Sequence, residues 1–243
     1  QEYIMPEAIG WVHQRADHAL IVGLQSGVYL FDPNKSKLDL ALDLEPNMTG
    51  NRLNDAKINV DGSLWAGTMD NAETNPTGKL YRITSDMKAA AIEDGYIVSN
   101  GPAFSPDGTI LYHTSSATRE IFAFDLTDNG AKAINKRCHI RFSEDMGYPD
   151  GMTCDQSGGL WVAHWDGWRI SRFFEDGSLD FSIPMPVQRP TSICFGGIDL
   201  DDLYITSASI NLDKLALEQQ PLAGSVFHMK SNFKGMKQNL FGG

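Results

Sequence analysis

The chain has 243 residues, 42% of them hydrophobic, with 31 acidic against 20 basic side chains and a formal charge of −11. This size and apolar share suit one large all-β domain with a sizeable core, and the acidic balance argues against the basic face that nucleic-acid binding needs. No apolar run reaches the roughly 18 residues of a membrane helix and no charged-then-apolar leader opens the chain. The three cysteines, Cys138, Cys154 and Cys194, form no CxxC pair, so a reducing cytoplasmic setting without a membrane partner is expected.

Along the chain one unit recurs: a polar residue, an alternating apolar strand, an Asp/Gly turn, and a second strand opened by a bulky residue. A faint copy, AIGWVHQRADHALIVGL, begins at Ala8. NDAKINVDGSLWAGT follows from Asn54, NGPAFSPDGTILYHT from Asn100, DGMTCDQSGGLWVAH from Asp150 and TSICFGGIDLDDLYIT from Thr191. The second-strand aromatics Trp65, Tyr112, Trp161 and Tyr204 fall 43 to 49 residues apart, the period of propeller blades. After each copy comes a further alternating segment bounded by turn residues: GVYLFDP (27–33), GKLYRIT (78–84), EIFAFDL (120–126), WRISRFF (168–174) and GSVFHMK (224–230). These are expected to be the outer strands of the blades. The best helical candidate is 211–224, one or two turns carrying Leu212, Leu215 and Leu217 before Pro221. Nothing marks a linker, so residues 1–243 are expected to form a single domain.

The innermost strand of a propeller blade begins near the central channel, so the residues that open the copies should crowd one axial pocket. Here they are Asn54, Asn100, Asp150 and Thr191 or Ser192. Asn and Asp also begin strands as ordinary turn residues, but three at one repeat position favour a site. Amide oxygens and a carboxylate together suit a hard divalent cation. Other chemistries lack their spacing. His13, His113 and His164 form no HExxH pair, and Ser99 and Ser105 sit in no GxSxG elbow. His164, with Trp165 and Trp168, is expected to pack between blades. Cys154 and Cys194 are expected to be buried structural thiols.

The strings NRLNDAK (51–57), WAGTM (65–69), SNGPAFSPDG (99–108), YPDGM (148–152), LWVAHWDG (160–167) and CFGG (194–197) resemble, in order and spacing, the signature strings of the gluconolactonase family. That family includes regucalcin (senescence marker protein), bacterial sugar lactonases and luciferin-regenerating enzyme, and the likeness covers essentially the whole chain. It implies a six-bladed β-propeller with one divalent metal (Ca2+, Zn2+, Mg2+, Mn2+ or Fe2+) in the channel. It implies metal ligation by Asn100 and Asp150, and a substrate pocket lined by Arg52 and Asn54. On the loop after GTM it implies an acidic residue that reaches substrate hydroxyls, either Glu73 or Asp70. The family's third ligand is a Glu in a GEGP-like string of a first blade. The chain starts after that string, so the first blade is expected to lie outside it, leaving a gap beside 8–23, and Glu7 is a weak substitute.

The expected activity is hydrolysis of a sugar lactone, such as a glucono-, xylono- or arabinono-lactone. The metal would polarise the carbonyl and activate water, Asp150 would serve as ligand and general base, and Arg52 would hold hydroxyls or the product carboxylate. The alternative is a non-enzymatic calcium-binding regulatory or scaffold propeller. Retention of polar channel residues that are costly to bury favours the enzyme. The partner is a small-molecule sugar lactone, and the protein is expected to be a monomer or weak oligomer.

Overall fold

The structure, a computed structural model, describes residues 2–242. It divides into two compact units, Gln1–Pro102 with Leu126–Ile134 and Gln238–Gly243, and Ala103–Asp125 with Asn135–Lys237. The first unit contains two four-stranded antiparallel sheets, each in chain order. One is β1 (Ile9–Gln14), β2 (Leu20–Leu24), β3 (Val28–Asp32) and β4 (Lys37–Leu42). The other is β5 (Asn51–Ile58), β6 (Leu64–Asp70), β7 (Gly78–Ile83) and β8 (Ala89–Tyr96). A third sheet comprises β9 (Ser99–Phe104), β10 (Ile110–Ser115), β11 (Glu120–Thr127) and β12 (Lys132–Arg141). The second unit adds β13 (Tyr148–Cys154), β14 (Leu160–Trp165), β15 (Arg169–Phe173) and β16 (Leu179–Pro184), then a three-stranded sheet of β17 (Pro190–Gly196), β18 (Asp202–Ser207) and β19 (Val226–Lys230).

Five sheets therefore stand among the described residues, one per repeat copy. The expectation of a six-bladed propeller with its first blade missing is corrected to five blades, because each copy builds one sheet and the chain contains five copies. The helical candidate shortens to one helix, α1 (Lys214–Gln219), whose N-cap Asp213 accepts the Ala216 N–H at 2.8 Å. Of the expected buried thiols, Cys154 is buried but Cys194 is exposed. Cys194 points to the opposite face of β17 from the buried Ile193 and Phe195, as strand alternation dictates.

The repeat builds these sheets through its turn aspartates. Asp155 accepts the Ser157 N–H at 2.9 Å and the Gly159 N–H at 3.0 Å, which closes the β13–β14 turn. It also takes the Trp161 indole N–H at 2.8 Å and the Arg172 Nε–H at 2.7 Å. One carboxylate thus staples the turn, the repeat's aromatic and the third strand. Asp61 does the same in the β5–β8 sheet, accepting the Ser63 N–H at 2.9 Å and Arg82 Nη2 at 2.7 Å, while the Trp65 indole reaches Ser63 Oγ at 3.2 Å. Trp65 and Trp161 are at most 1% exposed, and truncating either to Ala would cost about 3–5 kcal/mol.

In the first unit Trp11, Ile21, Leu53, Leu64 and Ile83 share a core with Phe241. Phe241 N–H donates to Gln14 O at 3.0 Å, holding the C-terminal segment beside β1. In the second unit one core gathers Tyr112, Met152, Leu160 and Phe173, and another gathers Trp161, Ile193, Phe195 and Ile205.

Candidate functional site

Three of the residues that open the repeat copies, Asn54, Asp150 and Thr191, lie on bulges. β5 pairs with β6 from Asn51↔Asp70 to Leu53↔Thr68, then resumes at Ala56↔Ala66, so Asn54 and Asp55 together oppose Gly67. The same irregularity recurs on β13, where Pro149↔His164 is followed by Met152↔Val162 and Asp150 and Gly151 oppose Ala163. On β17, Thr191 is the extra residue between Pro190↔Ser207 and Ser192↔Thr206. An extra residue leaves the ladder locally unpaired and re-aims its side chain, which is why bulges collect at active sites. Asn54, Asp150 and Thr191 thus sit where the ladder of their own blade is interrupted.

In the first unit these residues form a chain of contacts. Arg52 Nη1 donates to Asn54 Oδ1 at 2.6 Å and to Leu53 O at 3.1 Å. Asn54 Nδ2 in turn donates to Asn100 Oδ1 at 2.6 Å and to Ser99 O at 2.8 Å. Asn100 is buried at the start of β9, and Gly101 after it has φ 66°, a left-handed conformation that glycine adopts without steric cost. Arg52, Asn54 and Asn100 are therefore brought together. Asp150 is half-buried on its bulge in the second unit.

The two acidic residues after GTM have different surroundings. Asp70 accepts the Ala72 N–H at 3.2 Å, the Thr74 N–H at 3.1 Å, the Asn75 N–H at 2.8 Å and the Asn75 amide at 3.1 Å. Those backbone donors, that of Asn75 foremost, hold its carboxyl well below the usual range. It is the organiser of its loop. Glu73 is exposed at the crest of that loop with φ 54°, its N–H donating to Asp70 O at 3.0 Å.

A pocket of about 430 Å³ opens in the first unit, lined by Glu7, Asp43, Glu45, Asn51, Arg52 and Thr68 among others. Glu7 uses Oε2 to accept the Ser26 N–H at 2.8 Å.

Two residues of this region escape sequence reasoning. Asp55, beside Asn54, accepts its neighbour Ala56's N–H at 2.7 Å. Burial pushes its carboxyl up to about 6, against the hydrogen bonds of Ala56 and Gly101 and the Lys57 charge. Its place inside the NRLND string was the available signal. Glu45 sits on the irregular 43–50 segment, in no motif and no repeat position, so no pattern marks it.

The expected histidine roles are met in part. His164 packs against Phe142 with ring centroids 4.5 Å apart and stacks on Phe173, while Nδ1–H donates to Met146 O at 2.8 Å. Burial lowers its pKa to about 4. Its neighbour Trp165 carries Arg189 over its ring instead, 4.8 Å from the centroid.

Among the described residues no helix is long and apolar enough to cross a membrane. Residues 1–209 match the SMP-30/Gluconolactonase/LRE-like region. A 6-deoxy-6-sulfogluconolactonase of Pseudomonas putida is 34% identical over 242 residues, spanning 98% of this chain and 82% of that protein. An L-arabinolactonase of Azospirillum brasilense is 32% identical over 243 residues, spanning 98% and 80%. The solved structure of a calcium-binding protein, regucalcin, from Agrobacterium tumefaciens superposes with a TM-score of 0.94 at 26% identity, covering 98% of this chain and 81% of that one. An all-β propeller architecture, the motif strings in their order and these matches along its length agree: the chain belongs to the SMP-30/gluconolactonase/LRE-like family.

Proposed function

We propose that the protein is a lactonase that hydrolyses a sugar lactone, an aldonolactone such as glucono-, xylono- or arabinono-lactone, to the aldonic acid. The observation that carries this reading is the Arg52–Asn54–Asn100 hydrogen-bond chain beside a pocket of about 430 Å³. That volume lies in the range of small-molecule sites, and the polar lining suits a polyhydroxylated ring. The names of the relatives from Pseudomonas putida and Azospirillum brasilense, both lactonases, support the same class.

Arg52 is the residue to hold sugar hydroxyls or the ring-opened carboxylate, with a planar donor fork matched to two oxygens. Asn54 orients it: its Oδ1 accepts the guanidinium while its amide N–H groups bind Ser99 O and Asn100 Oδ1. Glu73, exposed on the 71–77 loop, is the acidic side chain that reaches substrate hydroxyls, since Asp70 is committed to the loop backbone. Asp150 would take the proton of the attacking water, for which a carboxylate has the required basicity.

Asn100, in the first unit, and Asp150, in the second, are each proposed as a metal-ligating residue. An amide oxygen and a carboxylate are hard donors that suit Ca2+, Mg2+ or Mn2+, and Asn54 fixes the amide orientation of Asn100. A divalent cation held by such donors would supply Lewis-acid polarisation of the lactone carbonyl and acidify water.

Initial rates on the three neutral lactones, with spontaneous opening subtracted and with or without a chelator, test the reading. Asp150→Ala should lower kcat by at least about 100-fold, within the range one general base contributes. Arg52→Ala should instead raise KM and leave metal binding intact. An Asp150→Ala protein with the parental rate would defeat the mechanism, and a parent inactive on all three lactones would defeat the substrate class.

A further inference from the structure

We infer that Glu45 is a positioning residue of this site: its carboxylate, acting through Asn51, fixes both the strand that carries Arg52 and the loop that carries Glu73. The kinetic part of this inference rests on the lactonase reading, and the structural part does not.

Glu45 gathers donors from three successive strands of one sheet. Oε2 accepts Asn51 Nδ2 of β5 at 2.9 Å, and Oε1 accepts Thr68 Oγ1 of β6 at 3.1 Å and Tyr81 OH of β7 at 2.8 Å. The 43–50 segment that bears it is otherwise held locally, with Met48 N–H donating to Glu45 O at 2.9 Å and Asn51 N–H to Met48 O at 2.8 Å. A mostly exposed segment thereby acquires a fixed end at the pocket wall.

The Asn51 arm extends furthest. Asn51 is buried, and its Nδ2 also reaches Thr77 O at 3.2 Å while Thr77 Oγ1 donates back to Asn51 Oδ1 at 2.7 Å. One amide side chain thus joins Glu45 to the far end of the 71–77 loop, whose near end is tied by Asn71 N–H donating to Gly50 O at 2.9 Å. Arg52 is the next residue on β5. The carboxylate is an acceptor only, and it takes all three donors. A glutamine at 45 could keep its carbonyl on Asn51 and donate to the two hydroxyls, so it would spare the Asn51 arm. Glu45→Ala removes the acceptor that holds Asn51 Nδ2 and leaves the Asn51–Thr77 pair without that anchor. The Tyr81 and Thr68 arms end on the sheet and do not reach that loop.

The test compares Glu45→Ala and Thr77→Val, which break the Asn51 arm, with Tyr81→Phe, which removes another bond to the same carboxylate. For each, amide hydrogen exchange over 70–77 and lactone kinetics are measured. Glu45→Ala and Thr77→Val should both raise exchange across 70–77 by at least five-fold. They should also raise KM about five- to ten-fold with kcat changed less than two-fold. Tyr81→Phe should leave KM and loop exchange at the parental values, an asymmetry that a merely structural carboxylate would not produce. Equal effects from all three variants, or parental exchange in Glu45→Ala and Thr77→Val, would overturn the inference. If Glu45→Ala fails to fold, Thr77→Val decides. If the parent hydrolyses no lactone, the proposed function falls while the exchange comparison still decides the role of Glu45.

Discussion

Asp70 and Glu73 illustrate how local donors divide chemically similar residues between structure and chemistry. Asp70 faces a cluster of backbone and side-chain donors, so it shapes the loop, and only Glu73 is presented to solvent. His164 is another single residue whose setting has a measurable consequence. It is fully buried against Phe142 and Phe173, with Nε2 lacking a hydrogen-bond partner, and its pKa falls from 6.5 to about 4 because burial disfavours the imidazolium. The unfolded chain therefore binds a proton between pH 6.5 and pH 4 that the folded chain refuses. Stability from this residue is fully present above pH 6.5 and is lost as pH falls through that window. The loss at pH 4.5 is about 2 kcal/mol relative to pH 7, from about 1.4 kcal/mol per pH unit. Asp55, pushed up to about 6 by burial, acts with the opposite sign, so the parent profile alone does not isolate the histidine. His164→Phe, which keeps an aromatic ring between two others, should narrow the difference in denaturation midpoint between pH 7 and pH 4.5. An unchanged difference would mean that the imidazole is solvated at low pH.

At the scale of strands, the bulges are what turn a repeat into a site, and they depend on close backbone approach. A Cβ on Gly10 would lie 2.7 Å from Asn54 O and 3.0 Å from Leu53 O, both backbone atoms of the β5 bulge. Neither can swing aside as a side-chain end would. Gly10→Ala should therefore cost about 1–3 kcal/mol, displace Asn54, and raise KM more than an alanine placed on the exposed β4 strand. A variant with parental stability and KM would show that the bulge is not held by that contact. The polar residues that occupy the bulges were legible in the sequence, because they fall at one repeat position, and so were the first three strands of each blade. The fourth strands, β4, β8, β12 and β16, were not. Their residues are mostly exposed or half-buried. Ala89–Tyr96 and Lys132–Arg141 carry little of the apolar alternation by which strands are recognised, whereas Lys37–Leu42 and Leu179–Pro184 do alternate but lie outside the recurring unit. Nor was Glu45 legible: its partners Asn51, Thr68 and Tyr81 come from three strands, and no spacing along the chain encodes their meeting.

For the whole molecule, the formal charge of −11 means that any cation raises stability somewhat by screening self-repulsion, so a metal effect has to be separated from a salt effect. A site that binds the folded state alone adds RT ln(1 + [L]/Kd), about 2.7 kcal/mol at a metal concentration 100 times Kd. For a chain of this size, each kcal/mol moves the midpoint by about 2–4 °C, so saturating Ca2+ should raise Tm by about 5–10 °C. Monovalent salt at equal ionic strength should do much less. Asn100→Ala and Asp150→Ala should each abolish the Ca2+ increment while retaining the response to salt, since each removes one oxygen donor and leaves most of the surface charge in place. If both variants keep the parental Ca2+ increment, the cation acts by screening, and metal binding by these two residues is refuted. If only one loses it, the other residue is not a ligand, and a role for Asp150 as proton acceptor would then have to stand on the lactone kinetics alone.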